Sequence, residues 1–252
     1  MGFIEGALGY HLLRRISPRQ ANSGNDDAVA VEQGADKLTA SFGPELWQLV
    51  QERVVIDFGC GPGHESIALA QKGARRVIGV EIQEKDLRAA QAAAHAAGVA
   101  ARCDFVRETR ERADVIISCD AFEHFAQPAV ILREMRRLLK DDGVALISFG
   151  PTWYHPLGGH LFSVFPWAHL LFSEAALIRW RADFTDDGAT RFEEVAGGLN
   201  RMTIRRFEKL VAESDFRLVD FAAVPIKKLR RLATPLTREF FTAVVRCRLA
   251  PR

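Results

Sequence analysis

The sequence predicts an α/β protein with a doubly wound, mostly parallel seven-stranded sheet and helices on both faces. Three observations predict it. Short, continuous apolar runs alternate with helical patterns along the chain. These runs lack the every-second-residue polarity of a half-exposed strand, so they belong to a sheet buried on both sides. The first of them runs into a glycine-rich turn and then a helix, "VVIDFGCGPGHES" at 54–66.

Taken in order, residues 3–15 read as a short amphipathic helix, and "SPRQANSGNDDA" at 17–28 as a turn-rich linker. Residues 32–52 read as helical with a break near Gly43-Pro44. "VVIDFG" is a buried strand, 64–72 a helix ending near Gly73, and "RVIGVEI" at 76–82 a second strand. An alanine-rich helix, "KDLRAAQAAAHAAG", closes at Gly98; "ARCDFV" and "ADVIISCDAF" are the third and fourth strands. "PAVILREMRRLLKDDG" reads as one helix with its stop at the glycine, and "VALISFG" as the fifth strand. Residues 151–200 are aromatic, glycine- and histidine-rich without clean periodicity. A helix ("MTIRRFEKLVAES") and two strand-like runs ("FRLVDFAAV", "FFTAVVRCRL") follow.

The expected organisation is one domain over 1–252: a helical extension (1–53), a ligand-binding core (54–150), a lid or insert (151–200), and a final helix with the last strands (201–252). A long irregular segment in a compact domain is more often functional than idle.

Composition excludes several classes. With 48% hydrophobic and 26% charged residues the chain reads as globular, and a net charge of +2 makes no case for nucleic acid. Four scattered cysteines without CxxC spacing point to reduced thiols in a cytoplasmic protein, with neither a disulfide framework nor a zinc site. The N-terminal "MGFIEGALGYHLLRR" places its arginines after the apolar part, the wrong order for a secretory signal. "LFSVFPWAHLLFSEAALIRW" at 161–180 is interrupted by Pro166, His169 and Glu174, so it does not read as a membrane span.

The turn Asp57-Phe58-Gly59-Cys60-Gly61-Pro62-Gly63 sits between a strand and a helix, the context in which glycines mark a nucleotide cradle. A dinucleotide turn needs its third glycine at position 64, where His64 stands, and the turn holds no cation for a pyrophosphate. An NAD-dependent oxidoreductase is therefore disfavoured. Glu81, at the end of the second strand, is placed to accept hydrogen bonds from ribose hydroxyls.

These motifs in this order resemble the class I S-adenosylmethionine-dependent methyltransferases, a Rossmann-like family whose first motif reads acid-x-Gly-x-Gly-x-Gly. The likeness runs well over 54–150 and in outline over 200–252. It implies S-adenosyl-L-methionine as cofactor and S-adenosyl-L-homocysteine as product. Asp57 and the loop residues Gly59, Cys60, Gly61 and Gly63 would face the methionine part, with Glu81 on the ribose and Ile82 beside the adenine. Cys119, Asp120 and Ala121-Phe122 would line the sulfonium. The family's acid after the third strand is absent from "FVRETRERADV", leaving Glu108 as the nearest candidate for the adenine amine.

Methyl transfer needs a base only where the acceptor must lose a proton. Asp120, Glu123 and His124 follow the fourth strand. His155, His160 and His169 lie in the insert, after the fifth strand's C-terminal end, the edge where open α/β sheets bind ligands. His155, His124 and His160 are the expected catalytic candidates; packed or locally bonded loop histidines are the plain alternative. The insert histidines match no metal-ligand spacing, and no metal is expected. Trp153, Tyr154, Phe162, Phe165, Trp167 and Phe172 suit a lid core with an apolar pocket wall, favouring a small apolar or aromatic acceptor at oxygen, nitrogen or carbon. The Asn-Pro-Pro-Tyr type tetrapeptide of nucleobase-amine and glutamine methyltransferases is replaced here by "CDAF", and the basic runs "IKKLRR" and "RMTIRR" read as solvated faces, so no nucleic-acid partner is expected. "FIEGALGYHLLRR" and "FPWAHLLF" are both suited to peripheral contact with a membrane. Alternatives are a non-catalytic S-adenosylmethionine-binding subunit or sensor, and a lipid-like or RNA acceptor. The oligomeric state is left open.

Overall fold

The computed structural model describes residues 2–17, 27–160, 162–185, 188–195 and 198–252. The apolar runs form β1 (Val54–Phe58), β2 (Arg76–Val80), β3 (Cys103–Val106), β4 (Ala113–Cys119) and β5 (Leu139–Phe149), joined by β6 (Phe216–Pro225) and β7 (Thr242–Pro251). The helices are α1 (Gly6–Ile16), α2 (Asp27–Phe42), α3 (Leu46–Val50), α4 (His64–Gln71), α5 (Glu84–Ala96), α6 (Pro128–Leu138), α7 (Ala168–Leu171), α8 (Glu174–Arg181), α9 (Ile204–Ala212) and α10 (Arg238–Phe241).

The seven strands lie in the order β3-β2-β1-β4-β5-β7-β6. β1 to β5 pair in parallel, and β7 runs antiparallel to both β5 and β6. The order reverses between β1 and β4, which opens a crevice at their C-terminal ends. Adjacent residues in a strand point to opposite faces, and both faces are covered here. Val55, Val77, Val115 and Ile117 pack with Leu38, Val50, Ile67 and Leu87 under α2 to α5. Ile56, Ile78, Ile116 and Ile147 pack with Leu132, Met135, Phe207 and Val211 under α6 and α9. Helix α9 shows how the pattern becomes packing: Ile204, Phe207 and Val211 form its buried stripe, and the Thr203 hydroxyl caps its start by accepting from Arg206 N–H at 3.1 Å.

A third apolar cluster lies outside the sheet layers. Tyr10 and Leu13 of α1 pack with Phe162, Phe172, Leu177, Trp180, Phe192 and Leu199 of the insert. The Trp180 indole donates to Ser17 O at 3.0 Å, and Ile4 bridges Phe172 through backbone bonds of 3.0 Å to Leu171 O and from Ser173 N–H. The described residues before β1 are thus shared between two cores: α1 belongs with the insert, α2 and α3 with the sheet.

Several boundaries differ from the sequence reading: α2 already starts at Asp27, and β4 stops at Cys119, short of Asp120-Ala121-Phe122. The helix expected to run to Gly143 ends at Leu138, and residues 139–143 open β5. Leu139 pairs with Ala113 across the sheet, Arg112 donates to Leu139 O at 2.8 Å, and Lys140 meets Asp114 at 2.6 Å, so cross-strand partners outweigh helical propensity there. β2 stops at Val80, which puts Glu81 and Ile82 in the turn rather than the strand. Of the expected linker at 17–28, residues 18–26 lie outside the described residues.

Candidate functional site

The turn after β1 is built by its glycines. Gly59, Gly61 and Gly63 all have positive φ, at 81°, 50° and 84°. A Cβ on Gly59 would stand 2.7 Å from the Ala121 methyl, and one on Gly63 2.7 Å from Ala90 and 2.8 Å from the Phe105 ring. These two are glycines because the turn packs tightly against its neighbours. A Cβ on Gly61 would meet nothing within 4 Å, so this residue opens onto a free cradle.

Glu81 holds the turn in place. Its Oε2 accepts from Gly61 N–H at 3.2 Å, and its Oε1 accepts from Ile82 N–H at 2.7 Å and Gln83 N–H at 3.0 Å. A carboxylate offers about four acceptor positions, so three backbone donors leave room for one more. Ile82 is 73% exposed beside it. Glu108 is exposed in the segment after β3, and the last residue of β3, Val106, accepts from Glu81 N–H at 3.1 Å. The Cys60 thiol is buried in the core and its pKa is pushed up by that burial.

At the other end of the turn, Asp57 is 2% exposed and accepts from the Ser66 hydroxyl at 2.6 Å. Burial, reinforced by nearby Glu65, raises its pKa to about 7. Lys37 of α2 reaches over this group: its Nζ lies 2.8 Å from Glu65 and 3.2 Å from Asp120. Burial would push the Lys37 pKa down, but Glu65 and Asp120 outweigh it and hold it above the ordinary value, so the ammonium stays charged. Asp120 follows β4 in a left-handed conformation, φ 50°, a strained geometry for a residue with a side chain. The neighbouring Cys119 thiol is buried and accepts from Ser148 at 3.2 Å; burial raises its pKa. Asp57, Gly59, Cys60, Gly61, Gly63, Glu81, Ile82, Cys119, Asp120 and Ala121 therefore converge on one edge of the sheet.

The histidines separate into different roles. His124 sits in a short 3₁₀ turn, Phe122–His124, and its Nδ1 lies 2.7 Å from Gly198 O. A carbonyl only accepts, so neutral His124 carries its proton on Nδ1 and keeps an open lone pair on Nε2. Its ring centroid is 5.3 Å from that of His160. Burial, then the neighbouring His124, His169 and His155, pushes the His160 pKa down to about 4, and its Nδ1 is buried without a partner. His155 Nδ1 instead accepts from Leu157 N–H at 2.9 Å, which uses the lone pair a base needs and leaves the proton on Nε2. His169 is a packing residue: buried, bonded to Trp153 O, its ring 4.6 Å from that indole, its pKa near 4 because of burial.

Two further residues shape this edge. Asn200 Nδ2 donates to Phe122 O at 2.8 Å and Phe125 O at 2.9 Å, clamping the end of the insert to the turn that carries His124. Glu123 is 3% exposed; its Oε1 accepts from Gly150 N–H at 3.1 Å, and its Oε2 has no partner. Burial, then Asp120, raises its pKa to about 8, so it is mainly a neutral acid at pH 7. Lys37 and Asn200 went unnoticed in the sequence, where both are isolated polar residues far from the motifs they serve.

A groove of about 780 Å³ lies elsewhere, between the α2–α3 junction and the face of β5, β7 and β6, lined by Phe42, Leu46, Leu146, Val219, Arg246 and others. It shares no residue with the glycine turn. Among the described residues no group of three His, Cys, Asp or Glu side chains is arranged to hold a metal, and no helix is long and apolar enough to cross a membrane.

The profile of a family described as "Methyltransferase domain" matches residues 13–220. The chain belongs to the class I S-adenosylmethionine-dependent methyltransferase family. It is 34% identical over 129 residues to an uncharacterized methyltransferase of Mycobacterium sp. (strain JLS), covering 48% of this chain and 50% of that one. The chain spans about half the length of the curated relatives it matches. Two solved structures share the fold. Magnesium protoporphyrin IX methyltransferase (ChlM) from Synechocystis PCC 6803, with bound SAH, has a TM-score of 0.55 at 18% identity, covering 98% of this chain and 95% of that one. The mitomycin 7-O-methyltransferase MmcR has a TM-score of 0.54 at 14% identity, covering 89% of this chain and 55% of that one.

S-adenosylmethionine is the cofactor of this methyltransferase family, and the residues fit it. The space over Gly61 admits a ligand against the backbone, the open position on Glu81 suits a hydroxyl donor, and charged Lys37, beside Asp120 and Glu65, suits a carboxylate.

Proposed function

We propose that the chain transfers a methyl group from S-adenosylmethionine to a small, largely apolar or aromatic acceptor in the cytoplasm. Where the acceptor must lose a proton, His124 takes it. When bound, the cofactor supplies a methyl group on a sulfonium sulfur whose charge disperses as the bond breaks, so alignment is the main demand, worth roughly 7–11 kcal/mol of the barrier. Glu81 holds the ribose hydroxyls, the glycine turn with Gly61 faces the methionine part, and Lys37 meets the carboxylate of that part. Asp120, pinned by Lys37 and by its own strained backbone, lines the space between cofactor and acceptor.

The observation that carries this reading is the orientation of His124. Its Nδ1–H bond to Gly198 O leaves Nε2 as the free acceptor, and the turn bearing it directly follows the Cys119–Asp120 edge. A base held in one tautomer by a carbonyl is the arrangement general-base catalysis uses. Trp153 and Phe162 pack on Phe192, at 5.8 and 4.7 Å between rings, as the insert's own buried core, and the apolar acceptor rests on the insert's aromatic composition. The enzymes of like fold named for mitomycin and magnesium protoporphyrin IX support small acceptors by analogy alone. Four free, buried cysteines suit a reducing compartment.

Incubation with radiolabelled S-adenosylmethionine and a panel of phenols, amines and lipids tests the reading. Transfer to at least one acceptor is expected. For a hydroxyl acceptor, His124→Asn lowers kcat by about 10²–10⁴-fold while His155→Asn changes it little. Tight cofactor binding with every acceptor untouched would instead support a non-catalytic binding protein.

A further inference from the structure

Helix α1 uses only part of its apolar surface. Gly9, Tyr10 and Leu13 face the insert, but Leu8, Leu12 and Ile16, repeating at four-residue steps, form a second stripe along the helix that is exposed to solvent. Leu8 is 74% exposed and Phe3, just before the helix, 90%. The bridge between Ile4 and Phe172 extends the stripe. Phe172 turns inward and is buried, while Phe3 and Leu171, one residue back on each segment, are exposed. Phe3 and Leu171, side by side across this bridge, therefore add exposed apolar surface just before the start of α1. Isolated exposed leucines are ordinary on a protein surface, but a continuous stripe of this kind marks a binding face.

Charge decides what the face meets. From Phe3 to Ile16 the segment carries Arg14 and Arg15 against a single acid, Glu5. Arg179 of α8 stacks over the Tyr10 ring at 4.3 Å and adds an exposed guanidinium beside the same helix, while Asp183 pairs with Arg14 at 3.4 Å. The exposed stripe thus has Arg15 on its flank next to Leu8 and Glu5 at its N-terminal end, with Arg14 and Arg179 grouped around Tyr10 beyond it, an excess of cations at the end of the helix that suits an anionic bilayer surface. A second copy of this chain would bring the same guanidinium groups to the seam, where they repel.

We propose that α1, with Phe3 and Leu171, is a docking face for an anionic phospholipid surface. The apolar stripe enters the acyl boundary, and Arg15 on its flank meets lipid phosphates. The acceptor's identity plays no part in this inference.

Co-sedimentation with vesicles tests it, using phosphatidylcholine alone and phosphatidylcholine mixed with phosphatidylglycerol. The chain is expected to pellet with the mixed vesicles, to stay largely in solution with the neutral ones, and to be released by high salt. Leu8→Ser with Leu12→Ser should weaken pelleting by about tenfold or more, because each leucine leaves the acyl region. Both positions are exposed, so circular dichroism should show an intact fold. No pelleting with mixed vesicles would overturn the proposal, and so would unchanged pelleting of the double variant. A dimer in sedimentation velocity, dissociated by the double variant and indifferent to vesicles, would overturn it in favour of self-association.

Discussion

Lys37 Nζ lies 3.2 Å from Asp120 Oδ2, joining the N-terminal helix α2 to the turn after β4 across the mouth of the crevice. The same ammonium is 2.8 Å from Glu65 at the start of α4. One cation thus holds three segments around the glycine turn and offers a charge to an incoming carboxylate. Lys37→Met should weaken S-adenosylhomocysteine binding about tenfold, the scale of one charge-assisted hydrogen bond. Calorimetric titration of the variant checks this, and an unchanged Kd would remove Lys37 from the binding site.

Gly61 and Gly63 should fail in different ways. Alanine at 63 puts a methyl 2.7 Å from Ala90 at a positive φ, so it should lower stability by roughly 2–4 kcal/mol through crowding and backbone strain. Alanine at 61 meets nothing within 4 Å and should cost only about 1 kcal/mol, yet its methyl stands in the cradle. Gly61→Ala is expected to abolish cofactor binding with a small loss in Tm, and Gly63→Ala to lower Tm strongly. Equal losses of Tm would contradict the division.

Asn200→Leu should uncouple the insert from the turn that bears His124. Two backbone carbonyls, Phe122 O and Phe125 O, would lose their donor in a buried setting, at a cost of about 1–3 kcal/mol. Thermal melts should show the loss. Hydrogen exchange should show it localised to 122–125 and 198–200, whereas uniform exchange across the chain would speak against a clamp.

Stability should fall as pH rises from about 6.5 to 8. Glu123, raised by burial to about 8, and Asp57, raised by burial and Glu65 to about 7, keep protons in the folded state that the unfolded chain has already released. Their contribution is full below the ordinary carboxylate range and is lost as pH climbs through the raised values. His160 and His169, both pushed by burial to about 4, act oppositely, adding stability as pH rises from 4 towards 6.5. The two effects oppose each other below pH 6.5 and leave the acids in control above it. Glu123→Gln, which keeps the neutral shape, should flatten the decline in Tm between pH 6.5 and 8, and an equally steep decline would show that Glu123 is already ionised.

Much of this was legible in the sequence because it is local. Strand runs such as Val54–Phe58 and Ala113–Cys119 declare themselves by unbroken apolarity, and the glycine turn by its spacing. Glu81 was visible as an acid at a strand end; its three backbone bonds were not, because they depend on where the loop folds back. Lys37 and Asn200 left no local trace, since each acts across the fold on a partner that only tertiary packing supplies. The residues from Leu139 to Gly143 mislead for a similar reason: helical in propensity, they are drawn into β5 by Ala113, Arg112 and Asp114. The histidines show the limit most clearly. Position alone ranked His155 with His124, and only hydrogen-bond direction separates a ring with an open lone pair from one whose lone pair is taken.

The role of the glycine turn and Glu81 is tested most directly by calorimetric titration of the unmodified chain with S-adenosylhomocysteine and, separately, with NAD. Saturable binding of S-adenosylhomocysteine at one site, sharply weakened in Glu81→Ala, with no heat from NAD, is the expected result. Saturable binding of NAD with none of S-adenosylhomocysteine would contradict it.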